Sequence, residues 1–442
     1  HLLSNFSISN YLNDENLPSL QCYNKAMRIY FSGIGGVGIG PLSRIALGAG
    51  YDVCGSDKSS SLITDELEAA GIAISFDQSG EYLYSEHKKV PFDWFIHTAA
   101  LPDDHPELVL ARELGIKTSK RDELLAQIIA DKSLKLIAIA GTHGKTTTTS
   151  MLVWVMRQLQ IPVSYSVGST LSFAPSGEFD ENSQFFVYEC DEFDRNFLHF
   201  SPEISVITSI DYDHPDTYPT ERSYLEAFRE FGEKSQKVIV WQENSTIFNP
   251  KNLITLSSAD QNITIPGKHN RKNATLIIEA LKHMSTSANK SEIYQAINSF
   301  PGSGRRFEKL ADNLYSDYGH HPIEIRATLQ MARELSDQVV LVYQPHQNVR
   351  QHEIIDQYSA DIFHYADEVY WLPTYLTREN PDLPILTPQQ LAKNIDPEKL
   401  HFANLDDNLW QNITTAQKSG KLVLCMGAGT IDGWIREQLA KD

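Results

Sequence analysis

Short apolar runs recur along the chain. Each is followed by a glycine-rich or acid-rich turn and then by a stretch whose apolar residues fall three and four apart. That alternation of strand-length runs with helical periodicity predicts βα units and parallel sheets. In the first third the runs are 27–31 and 51–54, with a helix-like segment at 42–49 between them. In the middle they are 136–140, 185–188 and 202–208. Helical patterns follow at 146–160 (Met151, Leu152, Val155, Met156, Leu159), 220–231 and 274–283. In the last third, runs at 339–343, 368–372 and 422–426 alternate with helical stretches such as 324–335. A polar stretch at 131–135 and a Pro/Gly hinge at 300–304 separate the three groups. The predicted fold is α/β, with three consecutive α/β domains at 27–131, 132–301 and 302–442, preceded by a polar extension at 1–26. A length of 442 residues is too great for one core and agrees with several domains.

The turns between these elements carry the candidate chemistry. Gly141-Thr142-His143-Gly144-Lys145-Thr146-Thr147 lies between a predicted strand and a predicted helix. There backbone N–H groups and the helix N-terminus can cradle phosphates, Lys145 supplies a point charge, and a threonine hydroxyl can reach a magnesium ion. The strict motif has glycine where this chain has Ile139, so the match is to a shorter form. A second glycine turn, Gly33-Ile34-Gly35-Gly36-Val37-Gly38, opens the first βαβ unit, with Asp57 about twenty residues on, where a ribose-binding acid is expected. Taken alone it suggests NAD, or plain Rossmann punctuation. Two middle strands end in acids, Glu189-Cys190-Asp191-Glu192 and Asp211-Tyr212-Asp213-His214, which suggests oxygen and imidazole ligands for a hard cation. Three tips of the last unit carry Ser316-Asp317-Tyr318-Gly319-His320, His346 with Arg350, and Gly427-Ala428-Gly429. Chemistry in open α/β sheets collects at strand C-termini. Asn270 could serve as a helix cap.

Composition narrows the setting. The formal charge of −19 disfavours non-specific nucleic-acid binding. No segment approaches eighteen uninterrupted apolar residues, so no membrane span is predicted. Cys22, Cys54, Cys190 and Cys425 are scattered and form no CxxC pair, as in a reduced, cytoplasmic protein. Residues 1–26 lack both an initiator methionine and a signal-peptide pattern; they are either a natural extension or an artificial remnant.

GTHGKTTTTSM, YECDEFDRNFLHFSPEISVITSIDYDHPDTY, the HN-x-x-N element at 269–273 and QPH at 344–346 resemble the Mur ligase family, and within it the alanine-adding branch. The resemblance spans about 27–429. It implies an ADP-forming ligase of peptidoglycan precursor synthesis that joins L-alanine to the carboxylate of UDP-N-acetylmuramate through an acyl phosphate. The domains would then bind a UDP-sugar, ATP and the amino acid in that order, with magnesium, or manganese in its place. By the resemblance Gly33, Gly35, Gly36, Val37, Gly38, Asp57, Thr98, Ala99 and His105 bind the UDP-sugar. ATP falls to residues 141–147, His269, Asn270, Asn273, Arg306 and Asp317. Thr146, Glu189 and His214 are the implied metal ligands, and Tyr318, His320, His346 and Arg350 the amino-acid pocket. Lys145, Glu189, His214, Arg306 and His320 are the implied catalytic set. The expected assembly is a monomer or homodimer, with no nucleic acid or membrane partner. A recycling ligase for an intact tripeptide and a non-catalytic UDP-sugar or ATP-binding regulator are the rival readings. Departures from the family pattern are His105 for asparagine, Gln347 for arginine, and no lysine in 220–231, where some relatives carry a carbamylated one near Phe228.

Overall fold

A computed structural model describes residues 26–98, 101–215, 217–284, 288–377 and 379–441. Ala99 and residues 1–25 of the extension lie outside them. The first sheet contains β1 (Arg28–Ser32), β2 (Asp52–Ser56), β3 (Ala73–Ser75), β4 (Trp94–His97) and β5 (Lys117–Ser119), all parallel, in the order β3-β2-β1-β4-β5. The order reverses between β1 and β4, and the crevice outside those strand ends is where the glycine turn after β1 and Thr98 after β4 meet.

The second sheet contains β6 (Lys135–Ala140), β7 (Ser164–Ser166), β8 (Gly177–Glu178), β9 (Phe185–Glu189), β10 (Ile204–Ile207), β11 (Lys237–Trp241) and β12 (Leu253–Leu256). Its order, β12-β11-β10-β6-β9-β7-β8, places β6 between β10 and β9, so the Gly141–Lys145 turn stands between the two acid-rich strand ends. Along β6 the side chains alternate: Leu136, Ala138 and Ala140 join one buried cluster, Ile137 and Ile139 another. The first cluster runs on through Ile29 and Phe31, so the first and central units share a core. Burying an aliphatic side chain stabilises by roughly 1.5–3 kcal/mol.

The third sheet contains β13 (Glu308–Ala311), β14 (Leu314–Asp317), β15 (Val339–Tyr343), β16 (Glu368–Trp371), β17 (Leu400–Phe402) and β18 (Leu422–Met426), in the order β13-β14-β18-β15-β16-β17. Only β13 is antiparallel to its neighbour. The register pairs both Asp317 and Tyr343 with Met426, so the three predicted tips are adjacent.

One helix begins earlier than its pattern suggests. The helix Lys268–His283 starts after Gly267, which has φ +89°, and His269, Asn270 and Asn273 lie inside it. Asn270 is therefore not the cap. Its amide donates to the Pro266 carbonyl at 3.1 Å. The polar character of 268–273 hid this turn, because its outward face is ligand-sized cleft rather than core.

Candidate active site between the three units

The Gly141–Lys145 turn follows β6 with two left-handed glycines, Gly141 at φ +129° and Gly144 at φ +84°. Gly144 caps the helix Lys145–Gln158. A side chain on Gly141 would run into Thr208 and the Ser209 carbonyl, so the close approach requires glycine. The end of β10 braces the turn: Thr142 N donates to Ser209 O at 3.0 Å and His143 N to Ser209 Oγ at 3.0 Å. Thr142 Oγ1 also meets Tyr224 Oη at 2.8 Å.

Lys145 Nζ donates to Gly141 O at 2.7 Å and to Glu192 Oε1 and Oε2 at 3.1 and 2.8 Å. Burial pushes the Glu192 carboxyl up to about 7 despite Lys145. Burial opposes the charge on Lys145, yet Glu192 and Asp191 hold its pKa above the ordinary value. Thr146 Oγ1 donates to Glu189 Oε1 at 2.7 Å and receives Arg306 Nη2 at 3.4 Å. Gly168 N donates to the other Glu189 oxygen at 3.0 Å. His214, at φ +58°, puts Nε2 3.9 Å from Glu192 Oε1, and burial lowers its pKa, keeping the imidazole neutral. Among the described residues no three His, Cys, Asp or Glu side chains converge as a protein-only metal cage. Phe228 packs in an aromatic cluster with Phe197 and Tyr224.

The two side chains that meet Thr146 line different cavities, Glu189 the smaller and Arg306 the larger. The larger, about 460 Å³, lies between the central and third units, with His143, Gly144, Thr147, His269, Asn270, Asn273, Arg306 and Asp317 on its walls. Phe307 and Tyr315 stack at 4.5 Å along one side, with Ile265, Ile323 and Met331 completing an apolar slot. Asp317 Oδ1 and Oδ2 accept from Gly319 N (2.7 Å) and Phe307 N (2.8 Å). Burial nevertheless raises its carboxyl to about 6. Burial also drops His269 to about 4. The smaller cavity, about 210 Å³, lies between the first and central units. It brings Val37, Gly38 and Arg121 to Gly168 and Glu189.

In the first unit the turn Gly33–Gly38 is built as a cradle, with Gly33 at φ +76° and Val37 exposed at its tip. Thr98 packs against Gly33. Asp57 does not present a free carboxylate: Oδ2 accepts from Gly35 N at 2.7 Å and Oδ1 from Lys58 N at 2.7 Å, so it braces the loop. His105 is 9% exposed and caps the helix Pro106–Glu113 through its backbone, with Nδ1 unpartnered among the described residues.

In the third unit the Tyr318 and His320 rings stand 5.8 Å apart, as do those of His320 and His346. Burial, and then the charges of His320 and Arg350, take His346 down to about 4; burial lowers His320 as well. Tyr375 stacks on His346 at 5.7 Å. Arg350 reaches across to the central unit, with Nη2 at 2.6 and 2.7 Å from the two oxygens of Asp213. Glu192, Asp213, Glu324 and Tyr375 were not among the residues expected at the site. The acid-rich strand ends signalled the first two as a class, without saying which acids turn inward.

Three family models match in sequence order: the catalytic domain of the Mur ligase family at 28–133, the Mur ligase middle domain at 139–260, and the glutamate ligase domain of Mur ligases at 305–429. The chain belongs to the Mur ligase family. The UDP-N-acetylmuramate–L-alanine ligase of Fusobacterium nucleatum is 31% identical over 91% of this chain and 94% of its own length. The enzyme of the same name from Porphyromonas gingivalis is 30% identical over 92% of this chain and 96% of its own. Among solved structures, the UDP-N-acetylmuramate–alanine ligase of Thermotoga maritima superposes with a TM-score of 0.74 at 26% identity, over 94% of this chain and 99% of that one. A murein peptide ligase from Psychrobacter arcticus shares the fold, with a TM-score of 0.60 at 23% identity over 94% and 98%. In this Mur ligase no helix among the described residues is long and apolar enough to cross a membrane.

Proposed function

We propose that this Mur ligase joins L-alanine to the carboxylate of UDP-N-acetylmuramate at the expense of ATP, in cytoplasmic peptidoglycan precursor synthesis. The units 27–131, 132–301 and 302–442 take the UDP-sugar, ATP and the amino acid respectively. The observation that carries the reading is Thr146, whose hydroxyl is touched by Glu189 from the smaller cavity and by Arg306 from the larger one. A carboxylate entering from one side there meets a polyphosphate entering from the other.

The chemistry follows from that junction. A carboxylate oxygen of the UDP-sugar attacks the terminal phosphorus of ATP, ADP leaves, and an acyl phosphate forms. The amine of L-alanine then attacks the acyl carbon, phosphate departs, and an amide remains. Lys145 and Arg306 neutralise the charge of the transferring group, and the turn's N–H groups hold it in line. By their donor chemistry Thr146, Glu189 and His214 are the residues that would hold a hard divalent cation, and magnesium, or manganese, would supply further charge neutralisation there. His320, whose pKa burial lowers, accepts the proton that the amine nitrogen loses as it bonds to the acyl carbon. Contacts between units keep water from the acyl phosphate: Ser169 Oγ donates to Gly304 O at 2.7 Å, and Gly304 N to Thr170 O at 2.8 Å.

Phosphate release, with UDP-N-acetylmuramate, ATP and single amino acids supplied, tests the reading. Release should require all three substrates and be fastest with L-alanine. Release only with an intact tripeptide would assign the recycling activity instead, and no release with any acceptor would leave a binding protein.

A further inference from the structure

The hinge between the central and third units runs through Gly304, Arg305, Arg306 and Phe307, and successive residues are held from opposite sides. Gly304 is fixed by the central unit: its N–H donates to Thr170 O at 2.8 Å and its carbonyl accepts from Ser169 Oγ at 2.7 Å. Arg305 turns to the third unit. Its Nη2 donates to the Gly427 carbonyl at 2.9 Å, and its Nε faces Asp432 Oδ2 at 3.6 Å, in the first turn of the helix Ile431–Leu439. Asp432 is itself held by Ser316 Oγ at 2.6 Å and Arg436 Nε at 3.1 Å. The Arg305 carbonyl accepts from Tyr318 N at 2.7 Å, and its guanidinium carbon lies 4.7 Å from the centre of the Tyr318 ring. Arg306 turns back to the central unit, with Nη2 at 3.4 Å from Thr146 Oγ1. Phe307 belongs to the third unit again, with its N–H on Asp317 Oδ2 and its ring on Tyr315. Arg305 and Phe307, on either side of Arg306, are both left-handed, at φ +54° and +51°. Residues with a side chain stay in that region only where surrounding contacts over-determine them.

We propose that Arg305 is a positioning residue for phosphoryl transfer: by gripping the Gly427 carbonyl and Asp432 it holds the left-handed path that turns Arg306 onto the phosphate loop. This rests on the reading of Arg306 as a group that neutralises the transferring phosphoryl. The contacts of Arg305 point in several directions at once, which a planar guanidinium can serve and the point charge of a lysine cannot. The strand tip Gly427-Ala428-Gly429 thereby gains a part in the reaction without touching a substrate. It is a firm anchor, because a side chain on Gly427 would run into the Gln344 carbonyl and Gly427 N donates to Asp317 O at 3.0 Å. Docking of the third unit and the aim of Arg306 are then one event, since the anchor lies in one unit and the target in the other.

The test is a double-mutant cycle on phosphate release, with Arg305→Ala, Arg306→Ala and the two combined, each also followed by thermal denaturation. Arg305→Ala should lower kcat about tenfold or more, the cost of a misplaced catalytic group. Its KM for UDP-N-acetylmuramate and for L-alanine should stay within about twofold of wild type. Arg306→Ala should lower kcat by about a hundredfold. On top of Arg306→Ala, Arg305→Ala should cost less than about twofold, because a residue that acts through its neighbour has nothing left to position. Arg305→Lys keeps the charge and the stem but not the fork, so its kcat should lie near that of Arg305→Ala. The lysine variant carries the same cycle if the alanine variant does not fold. Losses that multiply in the combined variant overturn the proposal, since Arg305 would then act independently of Arg306. An unchanged kcat in Arg305→Ala, or one restored by Arg305→Lys, overturns it as well. If Arg306→Ala itself leaves kcat unchanged, the reading of Arg306 fails and the proposal falls with it.

Discussion

Lys145 Nζ lies 2.8 Å from Glu192 Oε2, and the two side chains are 14% and 1% exposed. The phosphate-loop lysine is thus tied to a carboxylate on the neighbouring strand end, which holds it charged and in place. An isolated buried carboxylate would be costly; with Lys145 beside it the pair is mutually satisfied.

Lys145→Ala should therefore have two separable effects. Turnover should fall at least about a hundredfold, since removal of one such charge-stabilising group costs roughly 3 kcal/mol of transition-state stabilisation. The melting temperature should also fall, because stripping one partner from a buried pair costs on the order of 3 kcal/mol. Adding Glu192→Gln should restore the melting temperature and leave turnover low. Thermal denaturation and phosphate release measure the two, and UDP-sugar binding should stay close to wild type in both variants.

Glu189→Gln and His214→Ala should each raise the magnesium concentration needed for half-maximal turnover. Glu189 reaches Thr146 and the smaller cavity, and His214 faces Glu192 as a neutral ring. Magnesium titrations that overlay wild type for both variants would remove them from the cation's donor set.

The contact between His143 and Glu324 joins the phosphate loop to the third unit, at 3.3 Å from Nδ1 to Oε1. Burial opposes the imidazolium, but the Glu324 hydrogen bond and the Glu324 and Asp211 charges outweigh it, and Lys145, which opposes it too, so the His143 pKa lies above 6.5. His321 faces the same ring at 5.4 Å and stays neutral down to about 4. A raised folded-state pKa gives stability that is full below the ordinary value and is lost as pH climbs through the raised one. The wild type should thus exceed His143→Gln in melting temperature by more near about pH 6 than near about pH 8.5. An equal gap at both would show that the contact carries no charge.

Gly141→Ala should disable the loop without touching any charged group. At φ +129° an L side chain is strained, by about 1–3 kcal/mol, and the new methyl would press on Thr208 and Ser209. ATP binding measured by calorimetry should weaken at least tenfold, while Gly50→Ala, at φ +88° with open space around it, should cost stability alone.

The α/β fold in three consecutive units was legible in the alternation of strand-length apolar runs with helical periodicity. Apolar runs that alternate with helical stretches favour parallel strands with covering helices, and the turns after such strands then fall at strand C-termini. Tertiary structure decided which side chains in those turns are available. Glu189, Asp191 and Glu192 lie within four positions of the chain, yet Glu189 turns to Thr146 and Glu192 to Lys145; beyond them the turn Phe193–His199 passes through left-handed Asp194 and Arg195, and Tyr218 Oη donates to the Glu192 carbonyl. Asp57, expected at a ribose from its spacing, also accepts from the N–H groups of Gly35 and Lys58, contacts that its spacing did not signal. The pairing of Asp213 with Arg350, 137 residues apart, had no local signal at all. Periodicity records which face of an element is buried; which charged groups meet depends on how whole units dock, and no stretch of one unit carries that information.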